Sequence, residues 1–196
     1  MSKQVSALIT NNIIALVIHI CICFILFYPP VLIIPILLRD DILLWFAMGL
    51  YTIIAFGLYF FAGRLFLRNT KNMLTDLFSV IVLTIVFLAI VLYWYWLSSL
   101  IMFLMPFFML AMLISHILPI QFEIDEILIL FLLPLPSLTM WVGLRAKKYV
   151  DTLLLQHPQS IIKNRFTFII GNKKVSSILL IALICLTYLL LLLGAL

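Results

Sequence analysis

Long apolar runs separated by short polar islands dominate this chain of 196 residues. An α-helix needs about 20 apolar residues to cross about 30 Å of hydrocarbon, and most of the runs reach or approach that length. The pattern therefore predicts an all-α integral membrane protein that forms one polytopic domain over residues 1–196. About five transmembrane helices are predicted, and they cover residues 7–28, 42–63, 73–96, 127–142 and 175–196.

A further apolar segment, residues 98–120, has two interpretations. It is long enough to cross a bilayer, but Pro106 and Pro119 interrupt it. A broken helix at membrane depth needs protein or a water-filled cavity around its freed backbone groups. We therefore expect a re-entrant or oblique segment, and a sixth crossing is the alternative.

The Lys and Arg residues fall into islands whose distribution discriminates between these two topologies. The islands are Lys3, residues 64–71 and residues 145–174. With five crossings all of them share one side of the membrane, and Arg39 alone lies on the other side. With six crossings the 145–174 loop would lie outside, against the positive-inside bias. The bias favours five crossings, a cytoplasmic N-terminus and a cytoplasmic basic loop 145–174.

The overall composition excludes an ordinary soluble globular protein. Apolar residues make up 67% of the chain and charged residues 10%, with a mean hydropathy of +1.35, whereas soluble domains are roughly 45–50% apolar. The net charge of +5 is dispersed between apolar runs. We therefore expect the basic residues to contact anionic lipid headgroups at the cytoplasmic face and expect no nucleic acid as a partner.

The basic side chains of the second and third islands are expected at the membrane surface. Within the 145–174 loop, Tyr149, Val150 and Leu153 share one helical face, which predicts a short interfacial helix with basic flanks. A solvated loop without such a helix is the alternative. The basic residues assigned to the surface are Arg64, Arg68, Lys71, Arg145, Lys147, Lys148, Lys163, Arg165, Lys173 and Lys174.

Ionisable groups inside or beside the apolar runs are candidates for ligand or ion binding, because charge is costly there. His19 lies within the first span, where a hydrogen bond to a neighbouring helix would satisfy its imidazole. Asp76 lies one turn inside the third span, and we expect it to pair near Arg68 and Lys71. An outer acidic group could bind a divalent cation or attract a cationic peptide, and a solvated acidic loop is the alternative. That group consists of His116, Glu123, Asp125 and Glu126.

Sequence motifs of catalysis are missing from the chain. It contains no GxSxG, no P-loop and no HExxH, which are the motifs of common hydrolases, nucleotide-binding enzymes and zinc proteases. His19 and Cys21 lie about 200° apart on a helix, so they make a poor base–nucleophile pair. The three cysteines lie in apolar runs, as buried structural thiols do. We therefore predict no catalytic residue, no cofactor and no metal.

Three functions are compatible with this pattern. The first is a non-catalytic accessory, regulatory or immunity-type component of a bacterial cytoplasmic membrane, acting with a membrane protein partner. The second is a small transporter or substrate-binding subunit, and the third is an intramembrane enzyme acting on lipid or peptide. Residues 69–72 and 134–144 resemble segments of small multi-pass membrane proteins of bacteria. That resemblance implies a location and transfers no activity or residue role.

Overall fold

A computed structural model describes residues 3–37, 41–70, 72–92, 114, 132–156 and 172–194. Within these residues the chain is helical and contains no strand, in agreement with the all-α prediction. We number the helices α1 to α6 in chain order. They are Lys3–Leu37, Asp41–Phe66, Met73–Phe78, Ile81–Leu92, Leu135–Gln156 and Lys173–Gly194.

Within the described residues, two helical segments are long and apolar enough to cross a bilayer: Val5–Leu26 in α1 and Trp45–Phe66 in α2. The sequence predicts that the first span ends near residue 28, before Pro29 and Pro30. In the structure α1 continues through both prolines to Leu37. Prolines are tolerated in apolar helices where neighbouring groups satisfy the freed backbone carbonyls.

The third predicted span, 73–96, is divided into two helices. The short α3 ends at Phe78, and α4 begins at Ile81. A turn separates them, in which the Ser79 amide donates to the Thr75 carbonyl at 3.0 Å and the Ser79 hydroxyl donates to the Asp76 carbonyl at 2.6 Å. Residues 93–96 of the predicted span lie outside the described residues.

The core lies between α1, α2, α4 and α5, and partly buried side chains of α6 pack against it. The helices α3 and α4 lie against α1 and α5. Fully buried side chains at the centre include Leu26, Ile54, Leu58, Leu83 and Met140.

Glycines allow α2 and α5 to approach at backbone distance. A Cβ atom on Gly63 would lie 2.4 Å from the Met140 carbonyl oxygen, and one on Gly143 would lie 2.1 Å from that of Phe60. Both distances are far below van der Waals contact, so each helix presents a glycine to the backbone of the other. Small residues at such crossings are typical of helix pairs in membranes.

The surface of the helices carries large apolar side chains. On α1, Val5, Ile9, Ile13 and Val17 recur every fourth residue and are all between 44% and 59% exposed. Similar exposed residues on α2 and α6 are Phe46, Ile53, Ile178 and Ile181, at 59% to 70%. Soluble proteins rarely expose contiguous apolar surface of this kind, so these faces favour contact with lipid or with another apolar surface.

The helix α5 extends beyond the predicted 127–142 span. It runs from Leu135 to Gln156, so the first part of the expected 145–174 loop continues a helix that begins before it. The helix expected near Tyr149 is present as the second half of α5, and its location at a membrane interface stays a prediction. This continuity places Arg145, Lys147 and Lys148 on a rigid element directly beside the end of α2.

Candidate functional site

A buried polar cluster lies at the end of the bundle where α2 ends and α3 begins. At its centre is Asp76, in the first turn of α3, whose side chain has no solvent exposure. Its Oδ1 atom accepts hydrogen bonds from the Thr70 backbone amide at 2.9 Å and the Thr70 hydroxyl at 2.6 Å. The carboxylate thereby fixes the turn that connects α2 to α3.

The second carboxylate oxygen of Asp76 faces two cations of α5. Arg145 Nη1 and Lys148 Nζ each lie 3.8 Å from Oδ2, and among the described residues no donor lies within hydrogen-bond distance of this oxygen. Lys148 also donates to the Thr70 carbonyl at 3.0 Å. A buried carboxylate needs such partners, because the desolvation of an unpaired charge costs several kcal/mol.

Lys147 lies on another side of α5 and caps the end of α2. Its ammonium donates to the Leu67 carbonyl at 3.0 Å, where the helix leaves carbonyl groups without an intrahelical partner. Burial is the main cause that lowers the pKa of the Lys147 ammonium. Asp151 raises this pKa, and Lys173 and Arg64 each lower it. Lys147 therefore belongs to a second group of charges on α2, α5 and α6.

Two asparagines join α1 to the same end of the molecule. Asn11 Nδ2 donates to the Arg68 carbonyl at 2.8 Å, and Asn11 Oδ1 accepts from the Arg68 amide at 2.9 Å. Asn12 Nδ2 donates to the Phe78 carbonyl at 3.1 Å, and Asn12 Oδ1 accepts from the Val82 amide at 3.2 Å. Both side chains are buried, so these amides satisfy backbone groups where the chain turns from α2 into α4.

A separate cluster lies between the middle parts of α1 and α2. The rings of His19 and Tyr59 stack with their planes 12° apart, and the Tyr59 hydroxyl forms a hydrogen bond with His19 Nδ1. Cys23 Sγ lies 3.0 Å from His19 Nε2. Each of the three side chains is only 1% exposed, so the cluster is sealed inside the helix pair.

The structure brings several of the predicted surface residues to one end of the bundle and leaves His19 apart from them. Asp76 meets Arg145 and Lys148, and no ion pair with Arg68 is among those described. The pairing with Lys71 expected from the sequence falls outside the described residues. Gathered at this end are Arg64, Arg68, Asp76, Arg145, Lys147, Lys148 and Lys173, with Lys174 exposed at the start of α6. Outside the described residues lie Lys71, His116, Glu123, Asp125, Glu126, Lys163 and Arg165.

The sequence analysis does not identify Asn11 and Asn12, and it treats Cys23 as a structural thiol without its contact to His19. Two adjacent amides in an apolar run were a signal, since unpaired amides in hydrocarbon are costly. Cys23 follows His19 by four residues, which places both on one helical face. In the described part of the chain no three His, Cys, Asp or Glu side chains group closely enough to hold a metal.

Comparisons with protein-family models, curated proteins and solved structures found no match for this chain.

Proposed function

We propose that the chain is a non-catalytic, multi-pass component of a bacterial cytoplasmic membrane that acts with a membrane protein partner as an accessory, regulatory or immunity-type subunit. In this proposal the chain crosses the membrane five times, its N-terminus is cytoplasmic, and residues 98–120 form a re-entrant or oblique segment. The polar cluster around Asp76 then lies at the cytoplasmic end.

One observation carries this proposal: several buried polar side chains of the described helices join helix to helix, while α1, α2 and α6 carry large exposed apolar side chains. Asp76 joins the α2–α3 turn to α5, and His19 joins α1 to α2. Both side chains are at most 1% exposed. A helix bundle held together by such buried polar contacts can present apolar surfaces, such as the Val5–Val17 face of α1, to the membrane or to a partner helix.

The test is the isolation of the tagged chain from native membranes in a mild detergent, followed by mass spectrometry of proteins and lipids. We expect one membrane protein at a fixed ratio to the chain. A tagged multi-pass protein of similar size, expressed at the same level, is the control for detergent carry-over. Recovery of the chain alone with a defined small molecule would contradict the accessory role and favour transport.

A second candidate, an intramembrane enzyme acting on lipid or peptide, is favoured by the cluster of Cys23, His19 and Tyr59. A thiol within reach of an imidazole that a third group orients is the arrangement of an activated nucleophile. Against this stands the near-complete burial of all three side chains, because buried structural thiols are inert.

Thiol alkylation in native membranes separates the two candidates. Single-cysteine variants that retain only Cys21, Cys23 or Cys185 would be treated with a membrane-permeant maleimide, and the labelling rates compared. The accessory role predicts that Cys23 reacts slowest, since Cys21 and Cys185 are exposed in the structure. An enzyme requires Cys23 to react fastest, with a rate that falls in the His19→Gln background.

A further inference from the structure

The helix α1 passes through two adjacent prolines, Pro29 and Pro30, and continues to Leu37. In an α-helix the amide of each residue bonds the carbonyl four positions before it, and proline has no amide hydrogen. The carbonyls of Ile25 and Leu26 therefore both lose their usual donor. Two adjacent bonds of the backbone ladder are absent at this point of α1.

The Leu26 carbonyl receives a donor from α2 instead. The Tyr51 hydroxyl donates to it at 2.6 Å, and both residues are buried, Leu26 completely and Tyr51 to an exposure of 7%. A buried carbonyl that is left without a donor destabilises the folded chain. The position and burial of this bond therefore fit a hydroxyl that replaces the amide which Pro30 lacks.

Both ends of this bond belong to the packed part of the molecule. On α1, Ile18, Ile22 and Leu26 are at most 8% exposed, and Tyr51 and Leu58 of α2 belong to the same core. The donor comes from α2, and residues 31–37 contribute nothing to the bond. These residues can therefore change direction while the Leu26 carbonyl keeps its partner.

We propose that Pro29 and Pro30 form a hinge in α1, about which residues 31–37 change direction while the Tyr51 hydroxyl holds the Leu26 carbonyl on α2. An ordinary helix bends sharply only by giving up bonds of its own ladder, whereas bending at the prolines gives up none of the two that are already absent. The hinge goes beyond the proposed function and does not depend on it. In the five-crossing topology the moving segment lies at the outer side of the membrane.

A double-mutant cycle tests whether Tyr51 replaces the Pro30 amide. In the parent chain, Tyr51→Phe should lower the folding equilibrium constant in mixed micelles about tenfold, because the Leu26 carbonyl then has no donor. In a Pro30→Ala background the new amide satisfies that carbonyl. The same Tyr51→Phe change should then lower the constant no more than about threefold.

Pro29→Ala is the matched control for the cycle. It restores an amide to the same turn, but that amide reaches the Ile25 carbonyl, so the cost of Tyr51→Phe should stay at its parent value. A cost that is unchanged by Pro30→Ala, or that falls equally in both proline variants, would overturn the role of Tyr51. Because each comparison is made within one proline background, the stability of the proline variants themselves cancels.

Double electron–electron resonance on the full-length chain tests the movement. Spin labels would be placed at Ile34→Cys, beyond the prolines, and at Phe46→Cys on α2, in a chain that carries Cys21→Ser and Cys185→Ser. We expect a broad distribution of distances between the two labels. Replacing both prolines by Ala restores the two missing amides and should narrow the distribution.

A label pair at Ile13→Cys and Ile53→Cys is the control, because both positions are exposed and the first lies before the hinge. Cys23 is retained, since it is only 1% exposed. The control pair should give the same narrow distribution with and without the prolines. Equal widths for the Ile34–Phe46 pair in the two chains would overturn the hinge, and so would an equal change at the control pair.

Discussion

At the scale of single residues, we expect a large loss in the free energy of unfolding when Asp76 loses its charged partners. Its carboxylate is completely buried, while the side chains of Arg145 and Lys148 are 37% and 30% exposed. The two cations can recover hydration when the carboxylate is removed. The buried carboxylate cannot recover hydration when the cations are removed. Removing the cations therefore costs more stability than removing the carboxylate.

Removal of the cations should therefore destabilise the chain more than removal of the acid. For Asp76→Asn we expect a loss of about 1–3 kcal/mol, since a hydrogen bond to a charged group is replaced by a neutral one. For Arg145→Gln with Lys148→Gln we expect about 3–5 kcal/mol, the cost of leaving a buried charge unpaired. Equilibrium unfolding in mixed micelles measures both.

Lys174→Gln serves as the control for charge removal at the surface. The triple variant Asp76→Asn, Arg145→Gln, Lys148→Gln should be more stable than the variant that lacks only the two cations. A triple variant that is less stable would show that the cations act through contacts other than Asp76.

At the scale of helices, the α2–α5 contact depends on the reciprocal approach of Gly63 and Gly143. The atoms opposite each glycine are backbone atoms, which cannot rotate away as a side chain would. An added methyl group must separate the two helices along their whole contact. The same contact positions α5 so that its cations reach the end of α2.

We expect Gly63→Ala and Gly143→Ala each to lower the free energy of unfolding by about 1–3 kcal/mol, the usual cost of overpacking. Gly49→Ala is the matched control within α2, because no described atom of another part of the chain lies within 4 Å of a Cβ at this position. Its added helix propensity should stabilise slightly. Thermal unfolding followed by tryptophan fluorescence compares the three variants, and equal behaviour of Gly63→Ala and Gly49→Ala would contradict the close approach.

Whether the sequence predicts a structural feature depends on how far apart along the chain the interacting residues lie. Apolar run length is a local property, and it predicts α1 and α2 to within a few residues at their starts. The α3–α4 division at Ser79 depends on side-chain bonds within a turn, which apolar periodicity does not report. The predicted fourth span ends before Arg145 because Lys and Arg are typical of loops, whereas α5 continues to Gln156 and its basic side chains reach the end of α2 and Asp76.

The pairing of side chains that lie far apart in the sequence cannot be predicted from one sequence alone. The sequence predicts that Asp76 pairs near its chain neighbours Arg68 and Lys71, whereas it does not predict Arg145 and Lys148, which the structure places beside the carboxylate from another helix. The grouping of basic residues at one end, by contrast, follows from the charge distribution alone. The functional roles assigned to His116, Glu123, Asp125 and Glu126 stay predictions.

At the scale of the whole molecule, the polar residues mark one end of the bundle. The N-terminal part of α1, the end of α2, the start of α3 and the start of α6 all meet there. In the five-crossing topology this common end is cytoplasmic. The six-crossing alternative changes the side of every residue after 120 and leaves the preceding residues in place.

Reporter fusions distinguish the two topologies. With alkaline phosphatase, which is active only outside the cytoplasm, we expect activity for a fusion at Glu123 and none for a fusion at Lys163. The six-crossing topology predicts the reverse at both positions. A fusion at Asp40 should be active in either case and is the control for expression, and a fluorescent protein at the same positions should give the complementary pattern.

The hydrogen bonds made by Asn11 and Asn12 also determine when the first helix can reach its final position during synthesis. Their partners on Arg68, Phe78 and Val82 are translated 57 to 70 residues later. In the proposed topology the first helix leaves the ribosome before any of these partners exists, and Asn12 can then bond only the Leu8 carbonyl of its own helix, at 3.0 Å. An unpaired amide in hydrocarbon costs roughly 2–7 kcal/mol. The first helix therefore reaches its final depth only after α3 and the start of α4 have been made. A nascent chain arrested before residue 68 should remain next to the insertion machinery, and one arrested well beyond residue 82 should be released into the bilayer.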